Sequence, residues 1–261
     1  MELFDSHAHY NDEKFNDDRD KVIQEIYECG ITKFISAGYD LESSKIGIKL
    51  ADKYDFIYTT SGISPNDIPS SKQELESQLI EIESLASSNQ KVLAIGEIGL
   101  DYYWNKENKI LQKFAFARQI EIANKLNIPI VIHTRDAIMD TIEIIKNTKF
   151  EKPGIFHCCP LNKDLIKAGL NKGFYTSFAG PITFKNSKNV NEIIEKIPME
   201  KILIETDSPY LSPEPHRGKR NDSRNIIYIA QKISEIKNIT IEEVAKATYE
   251  NALKVFGINI K

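Results

Sequence analysis

Glu2-Leu3-Phe4-Asp5-Ser6-His7-Ala8-His9 opens the chain as a short strand candidate that runs directly into two histidines. An open doubly wound sheet would carry a glycine-rich phosphate loop at this place, and His7-Ala8-His9 occupies it instead. Side chains two apart on a strand share a face. The spacing therefore predicts that His7 and His9 chelate one ion from the end of the first strand, without backbone distortion. Further along the chain, short apolar runs alternate with amphipathic ones. The strand candidates are Glu2–Asp5, Lys33–Ala37, Phe56–Gly62, Val92–Gly96, Ile130–His133, Gly154–His157, Phe174–Phe178 and Ile202–Glu205. Helical patterns lie between them, among them 18–29, 41–54, 71–87, 108–126, 136–147 and 162–172. Ser71 with Glu74 and Thr240 with Glu243 read as capping boxes, and Gly257 as a helix stop. Eight strands separated by helices, with no linker or low-complexity tract, predict an α/β chain folded as a single (β/α)8 TIM barrel, one domain over residues 1–261.

Barrels assemble their active sites from the C-terminal ends of strands that lie far apart in sequence. Glu97 follows the fourth strand candidate, His133 ends the fifth, His157 ends the sixth and Asp207 follows the eighth. Of the 5 histidines in the chain, four fall at such ends, which favours a metal site over scattered packing residues. Imidazole with carboxylate oxygen suits Zn, Mn, Fe, Co or Ni, and tolerates Mg where water completes the shell. Six ligands are too many for one catalytic ion that must keep an open position. Two divalent ions about 3.5–4 Å apart, bridged by a carboxylate, would use them all. Cys158 and Cys159, beside His157, read as packing residues, because free cysteine is usually a small buried hydrophobe.

Composition narrows the partners. A formal net charge of −4 provides no global basic field for a long nucleic acid or an anionic membrane. Apolar stretches such as Ile128–Ile132 are far too short to span a bilayer. No basic-then-apolar leader precedes the first strand. The 3 cysteines make a poor disulfide framework, which fits a reducing cytoplasm. The expectation is a cytoplasmic enzyme with no membrane contact and no obligate protein partner.

Four motifs resemble the TatD-type metal-dependent deoxyribonucleases of the amidohydrolase superfamily. They are Asp5-Ser6-His7-Ala8-His9, Gly96-Glu97-Ile98-Gly99-Leu100-Asp101-Tyr102-Tyr103, Ile132-His133-Thr134-Arg135-Asp136-Ala137 and Glu205-Thr206-Asp207-Ser208-Pro209-Tyr210-Leu211. His216-Arg217-Gly218-Lys219-Arg220-Asn221 extends the match over essentially the whole chain. The resemblance implies that His7, His9 and Asp207 bind one ion, that His133 and His157 bind another, and that Glu97 bridges them. It implies hydrolysis of DNA phosphodiesters, single-stranded or at 3′ ends, which fits the acidic charge because an end needs few backbone contacts. Related cyclic-amide hydrolases often bridge with a carboxylated lysine on the fourth strand, and Glu97 stands there instead. The chain departs from the family pattern at Ser64, where a Gly-x-His-Pro histidine is common, at Cys158-Cys159-Pro160-Leu161, and at Asp222-Ser223.

Roles follow from these positions. Glu97 and Asp207 are the catalytic candidates, with Asp207 taking a proton from the attacking water. Asp5, on the face of His7 and His9, and Glu205, two before Asp207, are candidates to orient ligands. Arg135 could meet a phosphate bidentately or pair with Asp136 or Asp101. Arg217, Lys219 and Arg220 follow the eighth strand, where barrel loops often bind phosphate. Tyr102, Tyr103 and Trp104 could stack an unpaired base or pack over the rim. The rival reading is an amide or ester hydrolase on the same scaffold, acting on an aminoacyl or cyclic amide substrate. A non-catalytic metal-binding protein comes third.

Overall fold

The computed structural model describes residues 1–259. Eight strands lie parallel in chain order in one sheet: β1 (Leu3–Ala8), β2 (Ile31–Ser36), β3 (Ile57–Ser61), β4 (Val92–Asp101), β5 (Ile130–Arg135), β6 (Ile155–Phe156), β7 (Tyr175–Phe178) and β8 (Ile202–Ile204). The helices between them are α1 (Arg19–Glu28), α2 (Leu41–Lys53), α3 (Lys72–Ser88), α4 (Lys109–Leu126), α5 (Ile138–Asn147), α6 (Lys163–Leu170) and α7 (Val190–Glu195). After β8 come α8 (Ile226–Lys237) and α9 (Ile241–Phe256). The result is the expected (β/α)8 TIM barrel. It nearly closes at a polar seam, where Ser6 Oγ donates to Ile204 O at 3.0 Å and Asp207 N to His7 O at 2.9 Å. Among the described residues, no helix is long and apolar enough to cross a membrane.

Two apolar layers hold the barrel. The outer one packs β-strand residues such as Phe34, Ile95 and Ile132 against helix residues such as Ile23, Leu79 and Phe116. The inner one takes Phe4, Ile35, Ala94, Val131, Ile155, Tyr175 and Leu203 from seven strands, with Tyr58 of β3 packed alongside. Ala252, Leu253, Val255 and Phe256 of α9 close that inner layer from below. The Phe256 ring stacks on Phe4 at 6.1 Å, and Asn251 Nδ2 donates to Met199 O and Ile202 O, each at 2.8 Å, near the start of β8. The expected Thr240–Glu243 capping box starts α9 and Gly257, at φ 68°, ends it. Ser71 caps α3 alone, accepting from Glu74 N without the reciprocal bond.

Several strand pairs shift register, and two of these shifts, near the mouth on β1 and β4, shape the site. On β1 the step from Asp5 to Ala8 spans three residues, while its partner on β2 moves only from Phe34 to Ser36. On β4 the step from Ile95 to Ile98 spans three against two on β5, Ile130 to Ile132. Each extra residue is a bulge that resets which side chains face inward. Ile95 and Ile98 consequently both face the outer layer, and Glu97 is freed to face the mouth. Ala8 likewise packs in the outer layer. Asp5 turns to the seam, where it accepts from Thr206 N at 2.9 Å, Thr206 Oγ1 at 2.5 Å and Ser223 Oγ at 2.6 Å. The expectations of an undistorted first strand, and of Asp5 sharing a face with His7 and His9, are therefore corrected. So is the end of the fourth strand, which runs on through Glu97 to Asp101.

Candidate metal centre

The fold brings all six expected ligands to the C-terminal mouth in two sets. In one, the Nε2 atoms of His7 and His9 face each other at 3.2 Å, and Asp207 Oδ1 lies 3.6 Å from the first and 3.2 Å from the second. In the other, His133 Nδ1 and His157 Nε2 are 3.1 Å apart. Glu97 spans both sets. Its Oε2 is 3.3 Å from His7 Nε2 and 3.7 Å from His9 Nε2, while its Oε1 is 2.9 Å from His133 Nδ1 and 3.3 Å from His157 Nε2. Ring nitrogens this close, in pairs around carboxylates, are lone pairs converging on shared points, which is what a cation binds. The donor set fits divalent ions with imidazole and carboxylate preference. Turn geometry helps to aim the carboxylate of Asp207, which adopts the left-handed region at φ 56°; aspartate tolerates this better than most residues.

A second layer orients the rings. A metal-ligating histidine usually donates its other N–H to a carbonyl or carboxylate, which fixes the tautomer. His9 Nδ1 lies 3.2 Å from Ala37 O, and His133 Nε2 lies 3.0 Å from Asp101 Oδ2. His157 Nδ1 lies 3.3 Å from Glu205 Oε1. Asp101 is the functional partner that sequence reasoning missed. Its only signal was its place in the Glu97 motif, where it figured as a possible partner for Arg135.

The electrostatics point the same way. Burial would raise the Glu97 carboxyl, but His157, His133 and His7 around it hold it well below the usual carboxylate range. Burial likewise opposes ionisation of Asp207, yet the His9 bond and charge keep its pKa low. Burial would lower the imidazoles of His9, His133 and His157, but the carboxylates raise all three, His157 most. His7 stays lowered, by burial and by His157 beside it. The centre therefore favours positive charge at three of its four imidazoles. Asp101 is held down to about 2, against its burial, by His133 and the Trp104 N–H.

Above the ligands opens a cavity of about 740 Å³. Glu97, His133, His157 and Asp207 form part of its floor, and Arg135 and Trp104 stand on its wall. Arg135 makes neither expected ion pair. Its guanidinium lies 3.8 Å over the Tyr103 ring and 5.6 Å from the Trp104 centroid, and Trp104 is 68% exposed. Tyr102 is buried and donates to Asp140, so of the three aromatics only Tyr103 and Trp104 face outward. Arg217, Lys219 and Arg220 do not line the cavity. Arg220 pairs with Asp18 at 2.5 Å and donates to Lys14 O, and Arg217 lies 4.1 Å over Phe184. Lys219 is exposed. Ser64, which stands where a histidine is common, lines the cavity and donates to Asp67 Oδ2 at 2.6 Å. Cys159 is buried as expected, whereas Cys158 turns at φ 36° and also lines the cavity. A packing role for Cys158 is thereby corrected, because the strand has ended at Phe156 and alternation no longer applies.

Comparisons with known proteins bear on the family and the fold. A family model described as TatD related DNase matches residues 4–257. YabD of Bacillus subtilis (strain 168), named an uncharacterized metal-dependent hydrolase, is 41% identical over 98% of this chain and 100% of its own length. A protein of the same description from Buchnera aphidicola subsp. Baizongia pistaciae is 36% identical over 99% of this chain and 97% of its own. Among solved structures, YJJV, a TatD homolog from Escherichia coli K12, superposes with a TM-score of 0.91 over 98% of both chains at 23% identity. That likeness speaks for the fold.

Proposed function

Since the chain belongs to the TatD family of metal-dependent hydrolases, we propose that it cleaves DNA phosphodiesters at single-stranded or 3′ ends in the cytoplasm. The observation that carries this reading is Glu97, one carboxylate whose two oxygens face two separate sets of ligands. His7, His9 and Asp207 would hold one divalent ion, and Glu97, His133 and His157 the other. Ions bound there would supply the positive charge that acidifies a water and steadies a phosphate oxygen. Asp207, ionised and at the cavity floor, takes the proton of the attacking water on its carboxylate. Arg135, held flat by Tyr103, presents its fork to a second phosphate oxygen. Trp104 offers an exposed face to an unpaired base.

A second reading rests on the cavity's charge. Asp12 and Asp67 line it beside Ser64, and Arg135 is its one arginine or lysine among the described residues. That wall suits a cationic group next to the scissile bond, as in an aminoacyl ester. The test is metal-reconstituted protein on end-labelled single-stranded DNA, beside a panel of aminoacyl esters and amides. Stepwise loss of 3′ nucleotides supports the nuclease reading. Turnover of an ester with inert DNA replaces it with the second.

A further inference from the structure

His7 and His157 lie ring on ring, with centroids 4.1 Å apart and planes 20° from parallel. Their Nε2 edges face one carboxylate, with His7 Nε2 3.3 Å from Glu97 Oε2 and His157 Nε2 3.3 Å from Glu97 Oε1. The Nδ1 edges therefore both turn away from Glu97. Glu205, fully buried, lies behind them. Its Oε1 accepts the Cys158 N–H at 2.7 Å and touches His157 Nδ1 at 3.3 Å, a contact not aligned as a hydrogen bond. Its Oε2 has no hydrogen-bond partner, and neither has His7 Nδ1. His7, His157 and Glu205 nevertheless present ligand atoms all within 4.8 Å of one another. Buried polar atoms are rarely left unsatisfied, and here the Glu205 Oε2 and the Nδ1 atoms of both rings lack hydrogen-bond partners. A small turn of the rings or one bridging water would supply them.

We propose that Glu205 is a positioning residue that holds His7 and His157 as one unit, each with its proton on Nδ1, and so couples the two ion positions. Glu97 joins the two ligand sets in front, and Glu205 joins them behind. His7 belongs to the first set and His157 to the second, so a single rear carboxylate sets the direction of one lone pair in each. The other supports act singly: Ala37 O serves His9 and Asp101 serves His133. The inference concerns metal binding, so its failure would leave the choice of substrate untouched.

Zinc titration of the chelated full-length chain tests it, together with ¹⁵N imidazole spectra of the metal-free protein, in which no ion fixes the tautomer. Glu205→Gln keeps the size but offers one acceptor oxygen in place of two, so it cannot serve both rings. The proposal expects both zinc affinities to fall, by about 10–100-fold, with the proton of His7 or His157 leaving Nδ1. Asp101→Asn should weaken one ion alone. Loss of a single ion in Glu205→Gln, with the other at wild-type affinity, would overturn the coupling. Should the variant not fold, the wild-type spectrum decides, because a His7 protonated on Nε2 contradicts the proposal outright.

Discussion

At the N-terminal end of the barrel the strands meet in an apolar layer sealed by α9, with Phe4 against Phe256. At the C-terminal end the same strands meet in four imidazoles and two carboxylates, with buried polar atoms left over. The lower end follows ordinary burial, in which apolar area removed from water stabilises the fold. The upper end gathers buried ionisable groups, whose desolvation opposes folding unless they are paired. The lower layer supplies the stability that lets the upper one stay primed for cations. Function and stability should therefore separate cleanly when each end is cut.

The largest effect is expected at the top. Asp207→Asn should fold normally and retain the ion of Glu97, His133 and His157, while kcat falls by about 10²–10⁴ with little change in KM. Near-normal turnover at saturating metal would assign the proton to another group. Phe256→Ala cuts the bottom. Denaturant unfolding should show a loss of about 3–5 kcal/mol, while metal affinity at 25 °C stays as in the wild type. Weakened metal binding there would mean that the two ends are not independent.

The pH dependence sharpens the same contrast. His9, His133 and His157 are raised above the ordinary imidazole value of 6.5 in the metal-free protein. Their stabilising contribution to the metal-free fold is full below that value and fades as pH rises through the raised ones. Metal must displace those protons, so zinc affinity should fall by more than tenfold per pH unit as pH drops below neutrality. A slope of one proton or less in titrations at several pH values would contradict the shared cluster. A smaller effect is expected on the cavity wall. Trp104→Ala should raise KM for single-stranded DNA by about tenfold, the scale of one lost base stack, and leave a small phosphodiester unaffected. Equal damage on both substrates would make Trp104 a structural rim residue.

Much of this was legible in the sequence, because strand-end histidines and carboxylates are sparse and chemically distinctive. His7, His9, Glu97, His133, His157 and Asp207 all converge as their positions implied. The bulges were not legible, since Asp5-Ser6-His7-Ala8 reads as plain alternation and the extra residue shows only against Phe34–Ser36 on the neighbouring strand. Asp101 hid for a related reason: its link to His133 depends on how far β4 extends beyond Glu97. The surroundings of the basic stretch 217–220 were not legible either, because sequence order alone does not show that Asp18 pairs with Arg220 from another loop.

The central claim is that one carboxylate joins two ion sites, and electron paramagnetic resonance of the manganese-loaded protein tests it most directly. Two ions per chain with a spin-coupled signal are expected in the wild type. In Glu97→Gln the coupling should vanish and at least one ion should be lost, with partial recovery of loading in excess manganese. A single ion in the wild type, or two uncoupled ions indifferent to Glu97→Gln, would contradict the account.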